Sequence, residues 1–521
     1  MKSNLNFENI KIFYLLTIFF FSIFVNQYYG YIGVFPIDTF LFFDSGNRVL
    51  NGEFPIKDFW AVSGLTNDFI QALIFKIFGV SWFSYVLHAS LMNFLIAFFT
   101  FHTLLKFKLH INFSLLYALL VSVIAYPVAG TPFPDHHSMI FSIIGLFCFL
   151  LHLKTNSNYY LFLLPIFLVL GFFSKQTPAA YIFIIISFLG LIYLIYSFSY
   201  KKVGVLFSGF SFILILFFLI FILNKISLYS FYIQYIMYPI TIGDVRVLEF
   251  LFPIEFNRLF LRYKLIHIAI LPLIFLLINN FIKDLKFFKQ KDFFILSSLI
   301  LTAYALILNQ LLTLNQKFIF FIIPIFLGFS HIYIDKITNK KYLVYLVIFL
   351  AVSSTIYYKI SYVDKRKFME LENTKLENLE NAEKIDKKLK YLKWINPNFS
   401  GSISNEIEIL KKTINILSND KKNKFLITHY QFLASLIPNT YSFSRAYDNV
   451  SYPTENEKYH DDYKQFFHKH LKKKGIQSIY VIEPLEKNVF DNMINNNCLE
   501  KEKLNEILTK FSIIKCDNLT N

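Results

Sequence analysis

The sequence predicts an α-helical multi-pass membrane protein, about eleven transmembrane helices followed by a small C-terminal α/β domain. Three observations predict it. Hydrophobic residues make up 55% of the chain and mean hydropathy is +0.48, above the ~45–50% apolar share of a soluble domain. Apolar runs of about 18–20 residues recur without a charge, long enough to cross a ~30 Å hydrocarbon core. The segment 361–521 is different material: polar, charged, and alternating between helix-like and strand-like stretches.

The net charge of +16 does not indicate a nucleic-acid partner. The Lys and Arg residues sit in short loops and in the polar tail, without an Arg-rich helix or a recognisable binding motif. Basic loops are what the positive-inside rule predicts of a membrane protein. Lys2 and Lys11 precede an apolar run with no small-residue cleavage site, so an uncleaved first span is expected rather than a signal peptide.

Taken in order, the first span covers about 12–34 with its start in the cytoplasm, and the loop 35–80 lies outside, carrying an amphipathic helix over 67–78. Spans at about 82–105 and 112–129 lead out to the sequence GTPFPDHHS at 130–138. The fourth span returns to Lys154, the fifth runs out to Lys175, and the sixth returns to Lys201 and Lys202. The seventh exits into a longer external segment, 224–264, whose Tyr229, Tyr232, Tyr235 and Tyr238 suit an interfacial aromatic belt. Basic loops at 283–292 and 336–341 and a short external turn at 315–317 separate the remaining spans, the last at about 342–359. The alternation leaves the N-terminus in the cytoplasm and 361–521 outside. The domains are thus 1–360, membrane-embedded, and 361–521, extracytoplasmic.

In the tail, 364–392 reads as a charged helix, with Leu371, Leu376, Leu379 and Ile385 at near-helical spacing. A helix over 406–417, a strand at 425–428, a helix around 463–473 ending at Gly475 and a strand at 478–482 follow. In an oxidising compartment Cys498 and Cys516 would pair; the alternative is two unpaired thiols. Cys148 falls within the fourth span.

The unusual polar residues near the spans all fall on the external side of this topology. They are Asp38, Asp44 and Asp58 in the first loop, Asp135, His136 and His137 in the second, Lys175 with Gln176, and Gln316 with Lys317. Charge close to a bilayer is costly and tends to be functional or paired. Each residue also has a structural explanation. Lys175 and Lys317 could snorkel to head groups. Asp135–His137 could cap a turn set by Pro132 and Pro134, and the triplet lacks the i, i+4 spacing of a helical zinc site. Asp44 suits the cap of a helix starting near Ser45, and Arg48 could pair with Asp44 or Asp38. Asp38 is hardest to explain structurally, since it precedes an apolar run and has no neighbouring cation in sequence.

Asp38, then Gly52, then Pro55-Ile56-Lys57-Asp58-Phe59-Trp60 resembles the first external loop of GT-C fold glycosyltransferases, in the RgtA/B/C/D-like, PMT- and ArnT-related (family 39-like) branch. The FPDHHS and SKQT stretches at 133–138 and 174–177 are also similar, as is the order of many spans followed by an external domain. Thr39 departs from the pattern, standing where the family has Glu.

The resemblance implies an integral plasma (inner) membrane enzyme that moves a sugar from a polyprenyl-phosphate carrier to a glycolipid, glycan or protein acceptor on the external, periplasmic face, as in cell-envelope lipopolysaccharide synthesis. It implies Asp38 as general base and Lys175, with Lys317 or Arg262, as counter-charge to the donor phosphate. Asp135 with His136, His137 and Asp58 would form a second, acceptor-side acidic site. A divalent cation, Mg or Mn, held by Asp38 and Asp135 is the cofactor it leaves open. No Gly-rich phosphate loop indicates a nucleotide-sugar site. The competing classes are a transporter or flippase of lipid-linked sugars and a surface-polysaccharide polymerase or ligase. The chain shows neither the internal repeat of the first nor a dominant external loop. The tail is expected to shape acceptor access without contributing a chemical group, so that a chain ending near Lys359 would stay active.

Overall fold

The computed structural model describes residues 2–251, 255–313, 318–337, 340–374, 379–448, 450–485 and 493–514. Among them, ten helices are long and apolar enough to cross a membrane, by length and composition: Ile10–Gly30, Trp82–Lys106, Ile111–Val128, Pro134–Thr155, Gln176–Tyr196, Tyr200–Leu223, Lys264–Lys283, Lys291–Leu312, Phe318–Ile337 and Lys341–Met369. An eleventh apolar helix, Asn158–Ser174, has 17 residues, about 25 Å at 1.5 Å per residue. It sits where the fifth span is expected. This is the helix complement of a multi-pass membrane protein.

The chain forms two compact units. The first comprises 1–30, 89–218 and 246–368; the second comprises 31–88, 219–245 and 369–521. This division differs from the boundary near 360 expected from composition: the first loop and the Tyr-rich segment belong with the tail.

In the first unit the helices Pro134–Thr155 and Phe318–Ile337 are central, 89% buried along their most apolar stretches, whereas Tyr200–Leu223 is 22% buried, with Phe207, Phe212 and Leu216 exposed and Phe217 turned inward. Polar side chains tie the helices where apolar packing alone gives little preference in lipid. Asn93 donates to the carbonyls of Ser22 (3.0 Å) and Ser122 (2.9 Å), and Ser22 and Ser122 share a 2.7 Å hydroxyl contact. Arg366, buried, donates to the carbonyls of Pro127, Val128 and Ala129 at 2.9–3.2 Å. It thereby pins the turn before Pro134. Gly130 in that turn has φ +77°, and a Cβ there would stand 2.8 Å from the backbone of Gly30, so only glycine fits.

The second unit is built on a five-stranded mixed sheet in the order Thr440–Tyr441, Lys424–Thr428, Ser478–Ile482, Leu508–Ile513, Leu499–Lys503. The first three strands are parallel and the last two antiparallel. Alternation along the strands sends Leu426, Tyr480 and Ile482 into one cluster and Phe425, Ile427 and Ile479 into another. Helices Ile403–Asn419 and His460–Lys474, the latter closed by Gly475 at φ 58°, cover these faces. The first loop completes both clusters. Phe40, Phe42, Phe43 and Trp82 join the first, and Trp60 joins the second.

The described residues of 364–392 do not form the expected helix. Short turns at Lys367–Met369, Ala382–Lys384 and Lys387–Leu389 replace it, and Glu380–Asn381 pairs with Lys393–Trp394. Ile385, Leu389, Leu392 and Trp394 enter the core one by one, and backbone bonds from Gly33 to Lys393 and from Val34 to Ile395 (both 2.9 Å) fix the segment as an extended partner of 31–34. Leu376 lies outside the described residues. The segment 228–246 is also not a loop but three consecutive helical pieces, Leu228–Phe231, Tyr232–Met237 and Tyr238–Arg246. Tyr235 and Tyr238 are buried while Tyr229 and Tyr232 are exposed, so only two of the four tyrosines suit a belt. Gln234 holds the first loop by accepting from Ala61 N–H (3.1 Å) and donating to the Ile56 carbonyl (3.0 Å).

Asp68 and Arg445 form a fully buried ion pair in this unit, with Ser45 donating to Asp68 at 2.5 Å. Burial is the larger influence and pushes the Asp68 carboxyl up to about 6 against the opposing pull of Arg445. Removing one partner of such a pair strands a charge. Arg445→Met is therefore expected to cost about 3–5 kcal/mol, and adding Asp68→Asn to recover much of it. Tryptophan-monitored thermal unfolding reads this directly, since Trp60, Trp82 and Trp394, all the tryptophans of the chain, lie in this unit. An unchanged melting midpoint in Arg445→Met would overturn it.

Candidate functional site

Asp38 belongs to the short helix Pro36–Thr39 and is half-buried. The turn that carries it is closed from both sides. Phe35 N–H donates to Thr39 Oγ1 (2.8 Å), the Thr39 hydroxyl reaches Met369 Sδ (3.4 Å), and Tyr85 OH donates to the Thr39 carbonyl (2.6 Å). Thr39 thus has a structural occupation at the position where the resembled family carries Glu. The side chain is buried and spent on the turn.

Asp44 and Asp58 of the same loop are paired with cations. Asp44 lies inside the helix Leu41–Leu50, which starts before it, so it is not the cap of a helix beginning at Ser45. It pairs with Arg48 Nε at 2.9 Å and accepts from Ser435 at 3.3 Å; burial raises its pKa. Asp58 accepts from Phe54 N–H (3.0 Å) and from Lys473 Nζ (3.1 Å). Burial alone would raise its pKa, but those two donors outweigh it and hold the carboxyl below its ordinary value. Asp44, Arg48, Asp58, Lys473 and Lys474 line a polar cleft of about 730 Å³ within the second unit.

In the first unit, Pro134 and Asp135 open the helix Pro134–Thr155, where a carboxylate is favoured by the exposed N–H groups and the helix dipole. Lys175 occupies the extended break between Asn158–Ser174 and Gln176–Tyr196, and its Nζ meets Asp135 Oδ2 at 2.6 Å. Ser138 adds a bond to the Lys175 carbonyl at 2.9 Å. The structure therefore brings together Asp135 and Lys175, which sequence reasoning had given to separate acceptor and donor roles. Among the described residues Asp135 Oδ1 has no hydrogen-bond partner, and neither has either ring nitrogen of the buried His136. The His136 ring stacks on Phe318 (centroids 4.8 Å apart) and is flanked by Tyr126, Phe133 and Phe368. His137 faces Tyr126 OH at 2.5 Å and serves the turn.

Arg262 is exposed, in the turn before Lys264–Lys283; Lys317 lies outside the described residues. Among the described residues no group of three His, Cys, Asp or Glu could hold a metal ion, and Asp135 already faces an ammonium. Cys148 is a buried free thiol and Cys498 is disulfide-bonded; Cys516 lies outside the described residues. Sequence reasoning missed Asp68, Arg445 and Arg366. Asp68 sits on an amphipathic helix and its partner is 377 residues away, so no local pattern marks the pair. No protein-family model matches the chain, and no curated protein matches it in sequence.

Two outcomes follow from this geometry. The folded Asp58 pKa lies below its ordinary value of 3.8, so its stabilising contribution is present above that value and is lost as pH falls through the lower folded one. Asp58→Asn should flatten the acid limb of a stability–pH curve while leaving its slope near neutrality unchanged; an identical acid limb would count against the assignment. Lys175→Met should lower the melting midpoint, by roughly 1–3 kcal/mol for the stranded carboxylate, and more than the double Lys175→Met/Asp135→Asn does. Equal losses would mean that the two side chains are not coupled.

Proposed function

We propose that the chain is an integral membrane glycosyltransferase that takes a sugar from a polyprenyl-phosphate carrier and passes it to a lipid, glycan or protein acceptor outside the cytoplasm. The observation that carries this reading is the setting of Asp38. Asp38 is partly exposed, on a turn locked through Thr39 and Tyr85, whereas Asp44, Asp58 and Asp68 of the same loop are buried. A general base needs accessibility and a fixed position; Asp44 and Asp58 have given up the first. In this role Asp38 accepts the proton of the acceptor hydroxyl as that oxygen attacks the anomeric carbon, and the carrier leaves as its phosphate.

The buried Asp135–Lys175 pair supports the same chemistry. A span terminus where a buried carboxylate oxygen and two imidazole nitrogens have no hydrogen-bond partner among the described residues is costly in a purely structural role. It suits a polar head group brought up by a lipid, with the Lys175 ammonium exchanging Asp135 for phosphate. The amphipathic helix Leu65–Phe78, with Leu73, Ile77 and Phe78 exposed, fits a loop that works against a lipid surface.

The decisive experiment compares cells lacking the chain with cells carrying the wild type or Asp38→Asn, by mass spectrometry of envelope glycolipids and glycoproteins. One sugar-sized mass should vanish on deletion, return with the wild type and stay absent with Asp38→Asn at equal protein level. Full restoration by Asp38→Asn would remove the base and bring a transporter of lipid-linked sugars forward.

A further inference from the structure

The first unit contains a second feature, apart from Asp135 and Lys175. Helices Pro134–Thr155, Asn158–Ser174, Gln176–Tyr196 and Tyr200–Leu223 enclose an apolar cavity of about 430 Å³, walled by side chains such as Leu164, Leu168, Ile186, Leu206 and Phe210. At its rim Phe183, Leu191 and Phe207 are exposed, so the cavity opens sideways between helices. An apolar space of this size is dry in water and leaves its walls without dispersion partners. Among membrane-crossing helices, hydrocarbon is the partner at hand.

One end of the cavity is polar. His152 is 1% exposed; its Nδ1–H donates to the Ser157 carbonyl at 3.0 Å, and its Nε2 makes no hydrogen bond. Lys202 stands beside it, its ammonium 5.0 Å from the centre of the Tyr193 ring, which also lies 6.3 Å from the His152 imidazole. Lys202 is held by the Ser197 carbonyl (3.2 Å) and hydroxyl (3.3 Å), both neutral, and among the described residues no carboxylate pairs with it. Lys201, Lys289 and Lys291 occupy the same end of these helices. His152 is seventeen residues along its helix from Asp135, about 25 Å, so this end is remote from the Asp135–Lys175 pair.

We propose that the cavity is a binding site for one anionic glycerophospholipid bearing a head-group hydroxyl. One acyl chain fills the apolar space, the phosphate faces the Lys202 ammonium, and the hydroxyl donates to His152 Nε2. Charge complementarity selects the head group: a zwitterionic lipid brings its own cation towards Lys202, and a free fatty acid brings no hydroxyl to His152. The site is independent of glycosyl transfer and holds for any function of the chain.

Native mass spectrometry of the full-length, delipidated protein tests this by titration with dioleoyl-phosphatidylglycerol and, separately, dioleoyl-phosphatidylcholine. One phosphatidylglycerol should be retained at about tenfold lower concentration than phosphatidylcholine. Lys202→Gln, a change at a half-buried mouth residue, should abolish that preference and leave the melting midpoint unchanged. Gly190→Leu extends a side chain from a position whose Cβ would have only Phe149 nearby, at 3.9 Å, and should lower retention of both lipids. Equal retention of the two lipids by the wild type, or a preference that survives Lys202→Gln, would overturn the proposal. If Gly190→Leu fails to fold, the Lys202→Gln comparison alone decides.

Discussion

The buried pairing of Asp68 with Arg445 is the constraint on which the second unit depends. Two full charges removed from water repay their desolvation only when each finds the other and its remaining hydrogen bonds. Here Ser45 shares Asp68, while Arg445 Nε and Nη1 have no hydrogen-bond partner among the described residues and the guanidinium lies instead over the Phe42 and Phe59 rings at 5.1 and 5.9 Å. Those contacts set helix Leu65–Phe78 against helix Leu41–Leu50, where Gly46 leaves room for Gln71. The turn that presents Asp38 is continuous with the second of these helices. The placement of the proposed base therefore rests on an ion pair that never touches it.

Polar groups in this chain fall into two kinds. Most are spent on structure: Arg366 on three carbonyls, Asn93 on neighbouring helices, Asp58 on its own turn, Thr39 on the closure beside Asp38. Others are buried without a hydrogen-bond partner among the described residues, Asp135 Oδ1, the imidazole nitrogens of His136 and the Nε2 of His152 among them. Folding selects against orphaned polar atoms. Asp135 and His136 stand at one end of helix Pro134–Thr155 and His152 stands near the other, the two places proposed above to meet a lipid.

The helices were legible from sequence because a span needs only uninterrupted apolar length, and Lys-rich loops mark where it stops. Strands Lys424–Thr428 and Ser478–Ile482 were legible from short β-branched and aromatic runs. The hairpin formed by Leu499–Lys503 and Leu508–Ile513 was not, since most of its side chains are half-buried or exposed and show no clean alternation. Leucine spacing in 364–392 imitated a helix; pairing of 393–395 with 31–34 overrode it. Composition placed a boundary near 360 because it registers apolar length, whereas the actual division follows contacts such as Gln234 to Ile56 and Asp68 to Arg445, which leave no trace in local sequence. Of the proposed site, residue types and order were readable. That Lys175 would be claimed by Asp135, and Asp44 by Arg48, required the fold.

The discontinuity of the second unit governs how the protein comes into being. Its core draws on 31–88, 219–245 and 369–521, so the loop bearing Phe40, Trp60 and Asp68 leaves the ribosome long before the strands that cover it. With 377 residues between Asp68 and Arg445, translation at ~5–20 residues per second leaves the loop without its partners for roughly 20–75 s. Throughout that interval its aromatic side chains and lone carboxylate are surface for chaperones and insertion machinery to hold. A nascent chain released early keeps that surface permanently, which gives the cell a physical signature by which to clear it.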